Sequence, residues 1–564
     1  MSRTIAISLL LVLWAMAGTA ATAAPTVEPL DLFDIGAPSF TTFSTRDGVP
    51  ATVTVATEVD RDGFVWLASP AGVYRYDGRR WTASLDPGMD RSADSLYRDA
   101  EGTLWAAFRD DGLARYDGRH WHVENRATGL PMQQIRRFGE TRGANGRSRL
   151  WAISWEGGLL EHRDGHWVAD RGNAQLPPGS LLAMAQTQRI GGRARQWVGT
   201  GTSGLWFRED GGAWQRYRAA GFDPGQVEFL FATEHAGREE LWISVFSRGL
   251  WRLTDDGLRA WTREHGDLPT NDLYDIGETP LPNGDRALWI SSRSGLVRVI
   301  GEHALAFDRR HGLPSDAVRG LGTWRSPNGD EVLWLATEAG VARTIVGANQ
   351  WLTASLMGMH ASGVFAVRVE PDGRGGERLW VGSSDEGIGL FEQGRWRTFD
   401  RANGALPDSG VRLITEAPDE HGVPTLWVGL RYGHLLRVRD GPVFETVDTP
   451  WPKQIENSVT SMLATTRDGH YERWVGTRAS GLHRWSNGHW DAAQPAGVVA
   501  PWRIGSLVEQ RVGARAWLWA TSNQGLARYD GERWTLLGRD AGLPDLDLLG
   551  ATLIESAAGS PVLW

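Results

Sequence analysis

Residues 104–121 read LWAAFRDDGLARYDGRHW, and variants of this stretch recur along the whole 564-residue chain. The Leu-Trp pair or a close variant returns twelve times, with successive tryptophans 39 to 47 residues apart. A regular period of this length is typical of repeat proteins such as propellers and solenoids. The twelve motif tryptophans are Trp66, Trp105, Trp151, Trp197, Trp242, Trp289, Trp334, Trp380, Trp427, Trp474, Trp519 and Trp564.

Each repeat contains the pattern of four short strands. A phrase Gly-(Leu/Val)-x-Arg-Tyr-Asp-Gly-x-x-Trp follows the Leu-Trp pair, and it is complete at 72–81, 112–121 and 525–534. Its Asp-Gly pair lies between apolar runs and predicts a two-residue hairpin turn. A Gly-Leu-Pro phrase, as at residues 312–314, separates one repeat from the next. The first predicted strand of each repeat thus follows Leu-Pro, the second contains Leu-Trp, the third contains Gly-Leu-x-Arg-Tyr, and the fourth begins at the second tryptophan.

Four antiparallel strands in every repeat predict an all-β fold of tandem β-propellers, with blades of about 46 residues. The first propeller is expected to be seven-bladed over residues 24–350 and closed by an outer strand from residues 40–43. The second, over residues 351–564, is expected to be incomplete after four to five blades, as in a fragment of a longer protein or a degraded gene. A solenoid and a pair of six-bladed rings are the alternatives.

The motif tryptophans are expected to pack between neighbouring blades. Side chains alternate between the two faces of a strand, and in the second strand of each repeat the residues of both faces are apolar. This is typical of a strand that is covered on both faces. A buried indole removes about 150–250 Å² from water. Each is therefore expected to contribute on the order of 4–6 kcal/mol to stability as an upper bound.

The start of the chain predicts export. Arg3 precedes an apolar run at residues 5–17, and Ala21-Thr22-Ala23 has the small residues of a signal peptidase site. Residues 1–23 are therefore interpreted as a signal peptide, and the mature protein is placed in the periplasm. An uncleaved membrane anchor is the alternative, although the run is short for a bilayer span.

Composition excludes several functional classes. The chain has 59 Lys+Arg against 68 Asp+Glu, a net charge of −9 without long charged runs, which argues against nucleic acid as a partner. It contains no cysteine, so disulfides, cysteine-ligated zinc, iron–sulfur clusters and thiol catalysis are excluded. Thirty tryptophans and 70 glycines are instead typical of a turn-rich fold packed by indole rings.

The candidate ligand site lies on loops. In an up-and-down blade, the connection between the second and third strands opens on the same face as the connection between blades. Residues there differ from repeat to repeat on a constant frame, as a tailored binding site requires. Trp155 is the strongest individual candidate because an aromatic ring in a loop can stack on a sugar; solvated loop residues are the alternative. The candidates are Arg109, Asp110, Trp155, Glu156, Phe246, Arg248, Arg293 and Glu338.

No catalytic residue, metal site or cofactor is predicted. The run GTGTSG at 199–204 matches G-x-G-x-x-G but leads into a strand, whereas a phosphate loop leads into a helix. His120 and His122 flank Trp121 without a third metal ligand and are interpreted as the exposed face of a strand. A glycosidase needs two carboxylates about 5–10 Å apart, and Asp385-Glu386 supplies no identifiable partner.

The phrases Leu-Trp-x-Gly-Thr-x-x-Gly-Leu-x-Arg-Tyr-Asp-Gly and Gly-Leu-Pro resemble the two-component regulator propeller repeat of bacterial sensors, over residues 40–564. The resemblance implies a periplasmic sensor region that is usually followed by a β-sandwich, a membrane helix and a histidine kinase or diguanylate cyclase, none of which is present here. It favours a small ligand such as an oligosaccharide, membrane attachment only through a missing C-terminal helix, and a homodimer of the full receptor. An interaction scaffold and a carbohydrate-active enzyme are the alternative functions.

Overall fold

The computed structural model describes residues 35–564, apart from 144–145, 189, 191–192, 210, 236, 282–283, 349, 352–358, 360–362, 440, 468, 514, 556–560 and 564. The predicted signal peptide at residues 1–23 and the last motif tryptophan, Trp564, lie outside the described residues. The chain divides into a first unit, Leu32–Leu352, and a second unit that contains Thr353–Trp564.

Across its described residues, the first unit contains seven four-stranded antiparallel sheets and one two-stranded pair. Its strands in chain order are Ala37–Pro38 (β1), Thr41–Phe43 (β2), Ala56–Val59 (β3), Val65–Ser69 (β4), Gly72–Tyr76 (β5), Trp81–Ala83 (β6), Ala93–Arg98 (β7), Leu104–Phe108 (β8), Gly112–Tyr116 (β9), Trp121–Glu124 (β10), Ile135–Arg142 (β11), Ser148–Ser154 (β12), Leu159–Arg163 (β13), His166–Ala169 (β14), Leu181–Thr187 (β15), Arg195–Thr200 (β16), Leu205–Glu209 (β17), Gln215–Arg216 (β18), Val227–His235 (β19), Arg238–Val245 (β20), Gly249–Thr254 (β21), Gly257–Trp261 (β22), Leu273–Pro280 (β23), Arg286–Ser292 (β24), Gly295–Ile300 (β25), His303–Phe307 (β26), Val318–Arg325 (β27), Glu331–Thr337 (β28), Gly340–Ile345 (β29) and Gln350–Trp351 (β30).

The seven sheets follow one another in a closed cycle. In each sheet, the strand that begins the four-strand repeat is here called the inner strand; in this unit the inner strands are β3, β7, β11, β15, β19, β23 and β27. Each inner strand contacts the inner strand of the next sheet, and β27 of the seventh sheet contacts β3 of the first. The seventh sheet has the order β2-β29-β28-β27, so its outer strand comes from the start of the unit. Phe43 pairs with Val341 in that strand and stacks on Trp334 with 5.6 Å between ring centroids. The predicted all-β propeller fold is confirmed.

The hydrophobic core lies between adjacent sheets. Trp66 of the first sheet meets Trp121 of the second edge to face, with centroids 5.2 Å apart, and Trp105 of the second meets Trp167 of the third at 5.4 Å. Ten of the twelve motif tryptophans are at most 3% exposed. Trp519, in the last four-stranded sheet, is half-buried. The tryptophan period is thus the period of the contacts between sheets.

Most motif indoles also donate a hydrogen bond, which the sequence analysis did not anticipate. Trp151 and Trp197 donate from Nε1 to the hydroxyls of Thr141 and Thr187, at 2.8 and 2.9 Å. Each acceptor lies ten residues earlier, near the end of the inner strand. The bond satisfies the one polar atom of an otherwise apolar ring, whose burial without a partner would be costly.

The turn that follows Tyr-Asp-Gly differs from the prediction. Tyr76 pairs directly with Trp81, so four residues form the loop, and a two-residue Asp-Gly hairpin is wrong. Asp77 explains the longer loop, because its Oδ1 accepts the backbone N–H groups of both Arg79 and Arg80 at 2.9 Å. These hydrogen bonds lower the pKa of the Asp77 carboxyl. The aspartate thus acts as a cap within the turn.

The Gly-Leu-Pro phrases end short 3-10 turns. Gly312 closes one of them with a φ of 98°, in the left-handed region where a side chain would be strained. Asp308 caps the start of the same turn by accepting the N–H of Arg310 at 2.8 Å. The 3-10 segments in the described part of the chain are Thr45–Asp47, Arg126–Thr128, Arg171–Gln175, Arg309–His311, Ile455–Asn457 and Arg539–Ala541.

The second unit contains four four-stranded antiparallel sheets and a two-stranded pair within its described residues. Its strands are Val364–Pro371 (β31), Glu377–Ser383 (β32), Ile388–Glu392 (β33), Arg395–Phe399 (β34), Val411–Pro418 (β35), Pro424–Leu430 (β36), Leu435–Arg439 (β37), Val443–Val447 (β38), Val459–Arg467 (β39), His470–Thr477 (β40), Leu482–Ser486 (β41), His489–Ala492 (β42), Ile504–Val512 (β43), Arg515–Ser522 (β44), Gly525–Tyr529 (β45), Trp534–Leu537 (β46), Leu553–Glu555 (β47) and Pro561–Leu563 (β48).

The inner strand of the first sheet in this unit is unusually exposed. Val364, Phe365, Val367 and Val369 of β31 have exposed fractions of 43 to 59%. In the first unit, by contrast, each inner strand contacts an inner strand on both sides. The four sheets therefore form an arc with an uncovered apolar stripe at its start.

Candidate ligand-binding site

The predicted site residues share one face of the first unit. The first residue after the second strand donates its backbone N–H to the carbonyl just before the inner strand of the same sheet. This bond is 2.9 Å at Trp155, 3.1 Å at Phe246, 3.0 Å at Arg293 and 3.1 Å at Glu338. We call the surface built by these connections and by the starts of the inner strands the loop face.

A β-bulge recurs at the start of the inner strands on the loop face. In six of the seven sheets, the register shifts after the first residue of the strand, which leaves the second residue out of the ladder. Bulges bend a strand and re-aim a side chain, and they are frequent at functional sites. The bulged residues are Asp94, Arg136, Leu182, Glu228, Tyr274 and Arg319.

Two arginines, Arg109 and Arg136, contact the ring of Trp155. The guanidinium carbon of Arg136 is 4.2 Å from the centroid of the indole, and that of Arg109 is 5.7 Å from it. Arg109 also forms an ion pair with Asp94 at 3.0 Å. The half-buried indole therefore makes cation–π contacts with both guanidinium groups, and such contacts are stronger where water is excluded.

Arg136 crosses three sheets. Its Nη2 lies 2.9 Å from the Glu228 carboxylate of the fifth sheet, and its Nε donates to the Leu182 carbonyl of the fourth at 3.2 Å. Burial, together with the nearby charge of Arg137, lowers the pKa of Arg136 to about 10, although the charge of Glu228 acts in the opposite direction. The group remains charged at neutral pH and spans the rim of the ring.

Glu156 has a structural role on the loop face. Its Oε1 accepts the backbone N–H groups of Gln133 and Gln134 at 3.0 and 3.2 Å, and its Oε2 accepts from Arg126 at 3.0 Å. These bonds outweigh burial and lower the pKa of the carboxyl. The carbonyl of Asp110 accepts from the side chain of Gln133 at 2.7 Å, so both acids are tied to one loop.

The other predicted residues lie further around the ring. Glu338 forms an ion pair with Arg319, whose guanidinium lies 4.5 Å from the Tyr274 ring centroid. Arg293 is exposed and lies 3.9 Å from the Asp272 carboxylate. Their direct contacts thus form a group separate from those of Trp155.

Two predicted residues stay peripheral. Arg248 donates to the backbone carbonyl of Asp223 at 2.7 Å. Phe246 is 54% exposed. Of the predicted residues, Arg109 thus contacts Trp155 directly, and Glu156 and Asp110 are linked because both bind Gln133.

An axial channel opens between the inner strands of the first unit. The channel encloses about 590 Å³. Glu58, Tyr97, Arg137 and Asp275 are among its polar lining residues. This volume is in the range of small-molecule sites in proteins.

Arg137 bridges the channel. It starts on β11 of the third sheet, yet its Nη1 lies 3.5 Å from the Asp275 carboxylate of the sixth sheet, and its Nη2 donates to the Tyr274 carbonyl at 3.1 Å. Burial raises the pKa of Asp275, although Arg137 and two backbone N–H groups oppose this. A ligand that enters the channel must share or displace this bridge.

Glu58 is a perturbed carboxyl of the channel. Burial, with a smaller contribution from the charge of Asp275, raises its pKa to about 7. The N–H of Val59, at 3.0 Å, and the Arg98 guanidinium, at 3.7 Å, act in the opposite direction. Near neutral pH, Glu58 can thus donate or accept a hydrogen bond inside the channel.

Sequence reasoning missed the channel residues because it searched only the loops. Glu58, Arg137 and Asp275 lie within inner strands rather than on loops. A signal was present: the charged residues interrupt inner strands that are otherwise mostly apolar or small. In a closed ring, the centre is the one place inside the unit where such side chains can meet.

No family model matches the chain, and no curated protein matches it. Among solved structures, the chain is similar to the extracellular domain of a proposed hybrid two component system from B. thetaiotaomicron, with a TM-score of 0.55 and 16% identity over 93% of this chain and 75% of that one. The two chains therefore share a fold.

Two further solved structures are similar over most of the chain. One is the extracellular domain of a proposed one component system from B. thetaiotaomicron, with a TM-score of 0.42 and 16% identity over 93% of this chain and 70% of that one. The other is an ancestral GH74 enzyme, with a TM-score of 0.38 and 12% identity over 92% of this chain and 85% of that one. Among the described residues, none forms a helix of the length and apolarity that a membrane span requires.

Proposed function

We propose that this chain is the periplasmic ligand-binding region of a membrane signalling receptor, which passes the signal to an output domain of the histidine kinase or diguanylate cyclase type. The repeat phrases, the predicted signal peptide and the similarity to a receptor's extracellular domain support this proposal. The loop face of the first unit supplies a binding surface, and the axial channel supplies a cavity beneath it.

The observation that carries the proposal is the arrangement of Trp155 with Arg109 and Arg136 at the rim of the ring. An aromatic ring flanked by hydrogen-bond donors is suited to a sugar, which offers an apolar face and hydroxyl groups. We therefore assign an oligosaccharide as the ligand class of this face. Arg109, Trp155 and Arg136 are the residues expected to contact it.

Binding at this rim has a route to the rest of the ring. Arg136 connects the third, fourth and fifth sheets, and Arg137 connects the third and sixth. A ligand that competes for these guanidinium groups changes the contacts between sheets. It shifts a signalling equilibrium only by its differential affinity for the two states.

The test is a thermal-stability screen of the purified chain against neutral oligosaccharides, followed by calorimetric titration of any that stabilise it. A bound ligand raises the melting temperature by mass action. Trp155→Ala is expected to weaken binding at least tenfold. Trp324→Ala is the matched control, because Trp324 is also half-buried but lies near the far end of its inner strand.

Three results would contradict the proposal. One is the absence of any stabilising oligosaccharide, and another is equal weakening by the two tryptophan variants. The third is catalytic turnover of a tested saccharide, which would favour a carbohydrate-active enzyme.

A further inference from the structure

The second unit repeats the frame of the loop face with different side chains. The backbone bond from the residue after the second strand recurs at Arg431, which donates to Gly410 at 2.6 Å, and at Arg478, which donates to Ser458 at 2.9 Å. The inner-strand bulge recurs as well, at Phe365 and Arg412. Three arginines therefore occupy positions on one face that correspond to the site residues of the first unit.

The charges of Arg431 and Arg478 act on Arg412. Burial lowers the pKa of Arg412, and the positive charges of Arg431 and Arg478 lower it further. The Arg412 guanidinium carbon lies 3.9 Å from the ring centroid of Phe365. Its Nη1 is buried and makes no hydrogen bond to any described residue. A half-buried cation without a hydrogen-bonded counter-charge is energetically unfavourable.

The contrast with the first unit is in the counter-charges. There, Arg136 pairs with Glu228, and Arg109 pairs with Asp94. In the second unit, Arg412, Arg431 and Arg478 have no carboxylate within 4.0 Å among the described residues. In the first unit, the carboxylate partner of Arg136 is Glu228, at the bulge two sheets further along. The equivalent position for Arg412 is the bulge of β43, which contains Gly505 and Ser506 and therefore no carboxylate.

Two carboxyl groups do influence the cluster. Asp408 and Asp385 favour the charged form of Arg412. Asp408 is 5% exposed, and its oxygens accept the backbone N–H groups of Gly410 at 3.0 Å and Tyr432 at 3.3 Å. Asp385 accepts a hydrogen bond from the hydroxyl of Ser384 at 2.5 Å. Asp408 is therefore committed to holding the backbone of its own loops, while the arginines remain available to a ligand.

We propose that Arg412, Arg431 and Arg478 form a binding site for the carboxylate or sulfate groups of an acidic saccharide. A guanidinium binds such groups through paired, charge-assisted hydrogen bonds, which are stronger where water is partly excluded. Phe365 and Tyr432, exposed by 56% and 41%, add aromatic surface at the edge of the site. This site is separate from the proposed neutral-sugar surface at Trp155. It rests on the proposed function only in that the chain binds a saccharide.

The test is calorimetric titration of the full mature chain at low ionic strength with three probes: tetragalacturonate, a sulfated heparin tetrasaccharide and neutral maltotetraose. At least one acidic probe is expected to bind in a saturable, one-to-one manner, and maltotetraose is expected to bind this site at least tenfold more weakly. The two acidic probes separate carboxylate from sulfate recognition. Affinity is expected to fall as salt is added.

Arg412→Gln is expected to weaken the acidic probe at least tenfold. Arg412→Lys, which keeps the charge but loses the paired donors, is expected to weaken it less. Arg395→Gln is the matched control, because Arg395 lies exposed on the outer strand β34 and its replacement changes net charge equally. The melting temperature without ligand is expected to be unchanged or higher in Arg412→Gln, whereas a purely structural arginine would lower it.

Three outcomes would overturn this site. One is the absence of binding by both acidic probes, and another is equal weakening by Arg412→Gln and Arg395→Gln, which would indicate non-specific attraction. The third is a lowered melting temperature in Arg412→Gln with unchanged affinity. Trp155→Ala keeps the two proposals separate, because it is expected to leave acidic-probe affinity unchanged while it weakens the neutral ligand.

Discussion

Replacement of Glu58 by Gln is expected to stabilise the protein more at high pH than at low pH. The pKa of Glu58 is raised from an ordinary value of 4.5 to about 7 in the folded state, chiefly by burial in the channel. A carboxyl with a raised folded pKa contributes stability that is present below the unfolded pKa and is lost as pH rises through the folded pKa. Glutamine resembles the neutral carboxyl and has no such dependence.

The size of the effect follows from the shift. About 2.5 pKa units correspond to about 3 kcal/mol. The linkage relation then gives the Gln variant an advantage of about 1 kcal/mol at pH 5, rising to about 3 kcal/mol at pH 8. The side chain of Glu58 is only 19% exposed, so solvent screening reduces this figure modestly. Loss of the contact with Arg98, at 3.7 Å, offsets a small part of it.

The assay is urea unfolding of both proteins at pH 5 and pH 8, followed by tryptophan fluorescence. Glu101→Gln serves as the control, since Glu101 lies exposed in a turn and its replacement is expected to change stability by less than about 0.5 kcal/mol at either pH. A stability difference between wild type and Glu58→Gln that is the same at pH 5 and pH 8 would refute the reasoning.

Two further predictions concern packing. Trp105→Ala is expected to lower the free energy of unfolding by about 3–5 kcal/mol, because the ring is 1% exposed and fills the contact between the second and third sheets; chemical denaturation measures this, and a loss below about 1 kcal/mol would contradict the packing role. Val367→Ser is expected to cost less than about 0.5 kcal/mol, because this β31 side chain is 59% exposed, whereas Val381→Ser in the buried strand β32, where the side chain is 1% exposed, is expected to cost several times more; equal losses in melting temperature would show that β31 is covered in solution.

The sequence was sufficient to predict the repeat, the strand order and the packing role of tryptophan. These features are local: a Leu-Trp pair within an apolar strand, a glycine after a turn and a regular spacing are all visible within one repeat. The loop face could also be predicted from the sequence, because the order of strands in an antiparallel sheet decides which connections share a side. The length of the Asp-Gly turn could not be predicted in this way, because hydrogen bonds to the Asp77 side chain stabilise a loop of four residues instead of two.

The axial channel and the pairing of charges depended on the tertiary structure. Arg137 and Asp275 are 138 residues apart in the sequence, and they meet because a closed ring brings the third and sixth sheets to a common axis. The same closure brings Arg136 to Glu228, while no carboxylate among the described residues pairs with Arg412 in the same way. Repetition in the sequence thus determines what each sheet is. Which charges neutralise one another is decided only when the sheets curve around a centre, because that curvature sets the distances between side chains of different repeats.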